Sequence, residues 1–377
     1  MLDLQTTVRT HQAARALMTE KLTFKRGLTL KNRTVMSPMV TCMSFHNGVV
    51  TSDEMNYFAL RSGEVGAVIV GATYVDEGGM GPWEGLNGIS DDNHIEELAK
   101  LAKAIQVNGT KAIIQIYHGG RITSTARLRG VQPVAPSAVK SERPGAETPR
   151  ELSEAEILAI IEDFKKATAR AIAAGFDGVE LHGANTLLIQ QFFSPHSNRR
   201  ADQWGGSREK RFSFIDKLVD GVTGVVDDSD KKGFVVGYRL SPEEYETPGI
   251  RLEDTLYLVD KLADKPLDYL HLSLSRYNAV ARMSGDYQEK SMTQYIHEKI
   301  AGRVPLITVG GIVNQATVDE ALENAEMVAI GKALITDPHW VSKVMEDRED
   351  EIVTTLSHET KDELYIKNPL YRLLVGY

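Results

Sequence analysis

Two residues that could activate a carbonyl group follow the apolar segment 176–181. His182 and Asn185 are three positions apart, so they can project from one side of a turn and offer hydrogen-bond donors to a single point. Such a pair suits an oxygen that gains negative charge while hydride adds elsewhere in the substrate. A histidine at a strand end is as often purely structural, and no cysteine or glutamate cluster indicates zinc.

Two further polar residues interrupt apolar runs, Gln115 within 112–117 and Arg239 within 235–240. An unpaired amide or guanidinium buried in a strand would be costly, so each needs a partner. A protein carboxylate could serve Arg239. A flavin ring would serve both, because Gln115 can donate and accept while Arg239 stabilises the negative charge that appears on reduction.

Glycines follow the last two apolar runs, at Gly310, Gly311 and Gly331, and Lys332 comes next. Bare backbone N–H groups at the start of a helix can approach an anion closely. A tight turn also explains a glycine pair. The recurrence after two successive runs favours a phosphate site, to which Lys332 would add a positive charge.

The elements that must position these residues form a regular alternation. The clearest helix begins at Ser153, where Glu156 completes a capping box, and continues to Gly175. Eight strand-then-helix units predict parallel strands and favour a closed (β/α)8 barrel, an α/β fold, over an open sheet. No G-x-G-x-x-G follows any strand, so a Rossmann domain is not expected. The eight apolar runs lie near Val35, Val68, Ile114, Val179, Val236, Leu270, Ile307 and Val328.

We therefore predict an N-terminal extension over residues 1–21 and a single barrel over residues 22–377. Two connections exceed the usual length, at about 119–152 and 275–291. Long loops after barrel strands commonly cover the site, so these are expected to act as lids. The alternative is that they are solvated insertions.

Composition excludes several classes. The chain has 43 Lys and Arg against 52 Asp and Glu, and its net charge of −9 argues against binding to nucleic acid or an anionic membrane. A single cysteine, Cys42, excludes an intrachain disulfide and a four-thiolate cluster. No window approaches the roughly 20 apolar residues of a membrane span. A cytoplasmic protein that binds a small molecule is expected.

Several motifs occur in the order typical of one family. The most specific run comprises Ser194, Pro195, Asn198, Arg200, Asp202, Gly205, Gly206, Ser207 and Arg211. It is accompanied by residues 30–33 (LKNR), 37–39 (SPM) and 118–121 (HGGR). From about Leu22 to its end the chain resembles the Old Yellow Enzyme family of FMN-dependent ene reductases, especially the bacterial single-domain members.

The resemblance implies a TIM barrel with FMN across its carboxyl-terminal mouth and NADPH or NADH as electron donor. The matching motifs assign to the flavin ring Pro38, Met39, Val40, Ala72, Gln115, His182 and Arg239. They assign to the phosphate Gly311, Gly331 and Lys332. They also imply that His182 and Asn185 bind the activating oxygen of the substrate. Family members are often dimers or tetramers.

Three positions depart from the family pattern. Leu187 stands where a tyrosine usually protonates the substrate, so water or another tyrosine must do so, or alkene reduction is slow. Val40 replaces a Thr or Cys that tunes the flavin, which leaves Thr41 as a possible substitute. Lys332 replaces an arginine and exchanges a bidentate phosphate contact for a point charge.

The resemblance therefore implies an NAD(P)H-dependent FMN oxidoreductase that reduces electron-poor, enone-type alkenes or related acceptors. A second interpretation, suggested by Leu187 and Val40, is a flavin-binding protein with weak or no ene-reductase activity, such as a redox sensor or an FMN reservoir. A third, a flavin-free barrel lyase or isomerase, lacks an obvious barrel lysine or paired carboxylates.

Overall fold

The computed structural model describes residues 17–376 and confirms the predicted (β/α)8 barrel. All eight predicted apolar runs coincide with strands of one parallel sheet, which closes because the first strand pairs with both the second and the last. The strands are β1 (Thr34–Met36), β2 (Ala67–Tyr74), β3 (Lys111–Tyr117), β4 (Gly178–Gly183), β5 (Val235–Leu240), β6 (Tyr269–Leu272), β7 (Leu306–Val309) and β8 (Met327–Ile330).

Helices surround this barrel. They are α1 (Ser52–Leu60), α2 (Ile95–Ile105), α3 (Glu154–Ala173), α4 (Leu188–Phe193), α5 (Arg208–Asp227), α6 (Leu252–Ala263), α7 (Met292–Ile300), α8 (Gln315–Leu322), α9 (Lys332–Thr336), α10 (Trp340–Met345) and α11 (Asn368–Val375). Short 3-10 helices are Glu77–Gly79, Asp92–His94, Val107–Gly109 and Glu349–Glu351. Short strands outside the barrel ring are Leu22–Thr23, Thr29–Leu30, Asn87–Gly88, Val134–Ala135 and Arg150–Glu151. Every helix within residues 17–376 is too short or too polar to span a lipid bilayer.

The α3 helix begins where the capping box predicts. The Ser153 hydroxyl accepts a hydrogen bond from the Glu156 backbone N–H, and the Glu156 carboxylate accepts one from the Ser153 N–H at 2.7 Å. Two otherwise unsatisfied donors of the first turn are thereby paired. The helix ends at Ala173, and Gly175 follows with φ +83°, a conformation that glycine adopts without steric cost.

A hairpin closes the amino end of the barrel. The strands Leu22–Thr23 and Thr29–Leu30 pair in antiparallel register, and Phe24 packs against Tyr269 with the ring centroids 5.8 Å apart. These side chains join the apolar residues inside the barrel in one buried cluster. Because this end is filled, a ligand must enter the barrel from the carboxyl ends of the strands.

The predicted extension 1–21 lies mostly outside the described residues. Its last part packs on the barrel, since Met18 is fully buried in the main core and its carbonyl accepts a hydrogen bond from the Arg33 N–H at 3.0 Å.

Candidate active site

A cavity of about 410 Å³ opens at the carboxyl ends of β1 to β5. Seven residues that the sequence singled out line it, from five different strands or the loops after them: Pro38, Val40, Ala72, Gln115, His182, Asn185 and Arg239. Others lining this cavity, here called the ring cavity, are Gly81, Pro82, Trp83, Leu86, Tyr117, Ile122, Arg143 and Leu187. Residues far apart in the chain therefore converge as the barrel prediction requires.

Gly71 permits close packing in the wall of the ring cavity. A β-carbon built on Gly71 would lie 2.5 Å from Cβ of Pro38 and 2.8 Å from Oε1 of Gln115. Any other residue would force these two side chains apart. The glycine thus lets β1 and β3 bring Pro38 and Gln115 to the same point beside β2.

Gln115 has the protein partner that its burial demands. Its Nε2 donates to Glu180 at 2.7 Å, and the same carboxylate accepts from Tyr269 Oη at 2.9 Å and from His271 Nδ1 at 2.8 Å. Burial opposes ionisation of Glu180, but the neighbouring His271, Arg239 and Gln115 hold its pKa below the ordinary value. A charged carboxylate with three donors therefore lies beneath the cavity.

Arg239 is the residue of the ring-cavity lining that has a buried polar atom without a hydrogen bond to the described residues. Its side chain is buried, and its Nε has no hydrogen-bond partner among the described residues. Burial lowers the pKa of this guanidinium, which the charge of Glu180 partly restores. A buried donor without a partner is costly, so the cavity wall is suited to an acceptor supplied by a ligand.

His182 lies opposite Arg239 in the register of β4 and β5 and is almost fully buried. Burial, with the positive charge of Arg239, lowers the pKa of His182 to about 3. The imidazole is therefore neutral near pH 7. The Ala184 N–H donates to its Nδ1 at 3.4 Å, which assigns the proton to Nε2 and makes Nε2 a donor.

Asn185 lines the same cavity but is exposed and has a left-handed backbone with φ +56°. The Ser273 hydroxyl donates to its Oδ1 at 2.7 Å, and its backbone N–H donates to Ser241 Oγ at 2.9 Å. With Oδ1 engaged in this way, the amide nitrogen is left as a donor. The structure thus brings His182 and Asn185 to one cavity, with both oriented as donors.

The three departures from the family pattern lie as follows. Leu187 and Val40 both line the ring cavity, so neither position has been displaced from it. Thr41 is fully committed elsewhere, because its hydroxyl donates to Glu54 at 2.9 Å and accepts from the Met43 N–H. Thr41 does not line the ring cavity and its hydroxyl proton is already donated, so this arrangement does not support the substitute role considered for it.

The predicted phosphate residues lie outside the lining of the ring cavity. Gly331 directly precedes α9, and a β-carbon on it would lie 3.6 Å from the sulfur of Met39, which links this turn to β1. Lys332 is exposed and borders a separate, largely apolar cavity with Trp340 and Leu374. The sequence predicts that the ammonium group of Lys332 binds the phosphate. No contact among the described residues tests this role, so it stays a prediction.

Arg276 lies beside the glycine pair after β7. A β-carbon on Gly311 would lie 3.9 Å from Cγ and Cζ of Arg276, and the Tyr277 N–H donates to the Gly310 carbonyl at 2.9 Å. Among the described residues the exposed Arg276 guanidinium has neither an ion pair nor a hydrogen bond. Sequence reasoning did not identify this residue, because 35 positions separate it from Gly311.

Both predicted lid segments border the mouth of the barrel. A second cavity of about 640 Å³ adjoins the ring cavity. Arg143 and Asn185 line both cavities. Arg143, from segment 119–152, also donates to Thr186 Oγ1 at 3.0 Å. Five residues of segment 275–291 line the second cavity: Ser275, Ala279, Val280, Arg282 and Met283. Movement of either segment stays a prediction.

Two other residues that line the ring cavity, Trp83 and Tyr117, were not identified from the sequence. Trp83 belongs to the loop after β2, and no spacing in the sequence connects that loop to Gln115. Tyr117 carried a signal that sequence reasoning passed over, since it stands two residues after Gln115 and side chains at i and i+2 share one face of a strand. Residues 17–376 contain no group of three or more His, Cys, Asp or Glu placed to hold a metal ion.

The fold and the cavity define a (β/α)8 barrel protein with a candidate ligand site at the carboxyl ends of its strands. Residues 20–351 match the family described as NADH:flavin oxidoreductase / NADH oxidase, and the chain belongs to this family, that of Old Yellow Enzyme. The family is one of FMN-dependent, NAD(P)H-using oxidoreductases, as the sequence resemblance implied.

Individual relatives agree. The chain is 42% identical over 358 residues to a probable NADH-dependent flavin oxidoreductase of Bacillus subtilis, covering 95% of each protein. It is also 42% identical over 362 residues to the NADH:acrylate oxidoreductase of Vibrio harveyi, but spans only 36% of that longer protein. The structure of morphinone reductase superimposes with a TM-score of 0.75 at 28% identity, covering 91% of this chain and 92% of that one.

Proposed function

We propose that this protein oxidises NADH through FMN bound in the ring cavity and reduces electron-poor alkenes. The observation that carries the proposal is the buried guanidinium of Arg239, which lines the cavity together with Gln115 and whose Nε has no hydrogen-bond partner among the described residues. When bound, FMN accepts hydride from the nicotinamide and, once reduced, supplies hydride to the alkene. A buried cation suits this chemistry because reduction places negative charge on the ring.

The neighbouring side chains supply shape and polarity for that ring. Pro38, Val40 and Ala72 offer an apolar surface, and Gln115 presents its Oε1 because Glu180 engages its Nε2. An amide oxygen in this position accepts from an N–H at the edge of a heterocycle. The fit between the open donor of Arg239, the acceptor of Gln115 and the apolar wall supports FMN rather than a purely apolar ligand.

His182 and Asn185 would bind the activating oxygen of the substrate. Both offer N–H donors to the ring cavity, and His182 does so as a neutral imidazole because its pKa is about 3. Hydride addition at the β-carbon drives negative charge onto this oxygen, so two donors stabilise the transition state more than the ground state.

For the phosphate we propose Gly311, Gly331 and Lys332, with Arg276 as an additional cation. The backbone at Gly311 is left-handed with φ +71°. Arg276 is beside it and has no partner within residues 17–376, and a guanidinium can bind a phosphate with two hydrogen bonds. This arrangement compensates for the lysine that stands in place of an arginine at position 332.

NADH is the proposed donor, since the two relatives at 42% identity carry NADH in their names. The name of the Vibrio harveyi relative also suggests acrylate, an electron-poor alkene, as an acceptor to test. Arg143 lines the ring cavity beside Asn185 and would attract the carboxylate of such a substrate.

A second candidate function is NADH oxidation with electron transfer to an acceptor other than an alkene. Leu187 favours it, because leucine cannot protonate a substrate. The chain matches only 36% of the Vibrio harveyi protein and leaves 64% (100% minus 36%) unmatched. The second candidate is also favoured if the unmatched part of that relative is the part that reduces the alkene.

One series of measurements separates these candidates. The protein is titrated with FMN, reduced anaerobically with NADH or NADPH, and then mixed with acrylate, 2-cyclohexenone or ferricyanide. Reoxidation by an alkene supports the main proposal. Reoxidation by ferricyanide alone supports the second candidate, whereas a protein that never takes up FMN overturns both.

A further inference from the structure

The ring cavity contains one phenol whose proton is not committed to the protein. Tyr117 ends β3, is 2% exposed and lines the cavity two residues beyond Gln115. Its Oη accepts a hydrogen bond from the Gly81 N–H at 2.8 Å. The described residues provide no acceptor for the hydroxyl proton of Tyr117, so that proton is free to be donated into the cavity.

Tyr117 also lies next to the position where the family tyrosine is missing. The His118 carbonyl, one residue after Tyr117, accepts a hydrogen bond from the Leu188 N–H at 3.0 Å, one residue after Leu187. Tyr117 and Leu187 belong to the same buried apolar cluster and line the same cavity. The phenol therefore enters the cavity from the strand beside the leucine.

On this basis we infer that Tyr117 is the proton donor of alkene reduction and replaces the tyrosine that Leu187 displaced. This inference rests on the proposed function. The alkene gains a C–H bond to hydride at its β-carbon, and its electron pair shifts towards the α-carbon and the activating oxygen. A second C–H bond then forms at the α-carbon as the O–H bond of Tyr117 breaks, and solvent later returns a proton to the phenolate.

The surroundings of Tyr117 suit this role. The Gly81 N–H points at the oxygen on which negative charge develops, as in an oxyanion site. Burial raises the pKa of Tyr117 above its ordinary value, and the Gly81 N–H and the charge of Arg127 oppose this increase only in part. The phenol consequently stays protonated near pH 7, and the Gly81 N–H offsets part of the cost of forming the phenolate during proton transfer.

Other candidate donors are less well placed. The Tyr74 hydroxyl is directed at the backbone of Gly48 and Gly88, away from the cavity lining. Tyr245 borders the larger cavity and is 76% exposed. Cys42 packs against the apolar cluster without lining the ring cavity, and burial raises the pKa of its thiol to about 11.

The test compares the two half-reactions of the FMN-loaded protein in Tyr117→Phe, with Tyr74→Phe as the matched control. We expect Tyr117→Phe to keep the wild-type Kd for FMN, the rate of reduction by NADH and the rate of reoxidation by ferricyanide. Reoxidation by 2-cyclohexenone should fall about 100-fold or more, the usual contribution of a general acid. Tyr74→Phe should match the wild type in all four measurements.

Two further readouts distinguish proton donation from packing. Wild-type reoxidation by 2-cyclohexenone should slow in D2O, whereas reoxidation by ferricyanide should not. Leu187→Tyr in the Tyr117→Phe background should restore the enone rate. The same Leu187→Tyr change in the wild-type background should alter that rate by less than about 3-fold, because a donor is already present.

The inference is overturned if Tyr117→Phe reduces 2-cyclohexenone at the wild-type rate, or if it loses the ferricyanide rate equally. A large acceleration by Leu187→Tyr in the wild type would also overturn it, even where Tyr117→Phe does not fold. Failure of the proposed function is a separate result, in which the reduced wild-type protein is not reoxidised by any alkene. That result would overturn both the proposed alkene reduction and the role inferred for Tyr117.

Discussion

The amide of Gln115 donates to the carboxylate of Glu180 across 2.7 Å, between two residues that are direct partners in the ladder of β3 and β4. This bond fixes the amide with its oxygen beside Gly71 at the cavity wall. The same carboxylate binds Tyr269 and His271. Glu180 thereby orients a proposed flavin contact without lining the cavity itself.

Removing Glu180 should both destabilise the barrel and weaken cofactor binding. Glu180→Ala leaves three buried donors unpaired, and we expect a loss of about 3–5 kcal/mol in the free energy of unfolding. Glu180→Gln retains an acceptor oxygen and should lose less. Urea denaturation of the apoprotein and fluorescence titration with FMN measure the two effects, and wild-type values in Glu180→Ala would contradict the arrangement.

His182 should make folding stability depend on acid. The folded pKa of about 3 is below the unfolded value of about 6.5, so the unfolded chain binds a proton first as pH falls. Stability contributed by the neutral form is thus present above pH 6.5 and is lost as pH decreases towards 3. Between pH 6.5 and 5 the loss should be about 1.5 kcal/mol. His182→Asn apoprotein should lack this part of the slope in denaturation experiments, and an unchanged slope would refute the assignment.

Val40 should influence the reduction potential of the bound cofactor. Val40→Thr has nearly the same shape and adds a hydroxyl donor to the ring cavity, which stabilises negative charge. The potential should therefore rise, as measured by equilibration with a dye of known potential. Thr41→Val is the control, since the Thr41 hydroxyl binds Glu54 and that variant should lose about 1–2 kcal/mol of stability with no change in potential.

Arg276 should contribute to cofactor affinity. Arg276→Ala removes an unpaired guanidinium beside Gly311, so the Kd for FMN should increase about 10-fold and the effect should diminish at high salt. Riboflavin, which lacks the phosphate, should bind equally to both proteins. Arg282→Ala removes the same charge from the same segment and should leave the Kd for FMN unchanged. An equal loss with riboflavin would place Arg276 outside the phosphate site.

Much of the fold followed from local patterns. Strands buried on both faces are nearly continuous apolar runs, so all eight were detectable along the chain, and the Ser153 capping box located the start of α3. Two of the proposed flavin contacts were detectable for the related reason that polar residues such as Gln115 and Arg239 are costly inside such runs.

The remaining relationships depend on register and loop placement. Glu180 becomes the partner of Gln115 only because the ladder of β3 and β4 aligns them, and a shift of one residue would turn the side chain to the other face. Tyr117 next to Leu187 and Arg276 next to Gly311 likewise require distant segments to meet at the barrel mouth. The sequence by itself determined which residues are apolar, polar or conformationally special, because those are properties of single side chains and their near neighbours. Tertiary structure decided which of them touch, because contacts between remote segments arise only when the barrel closes.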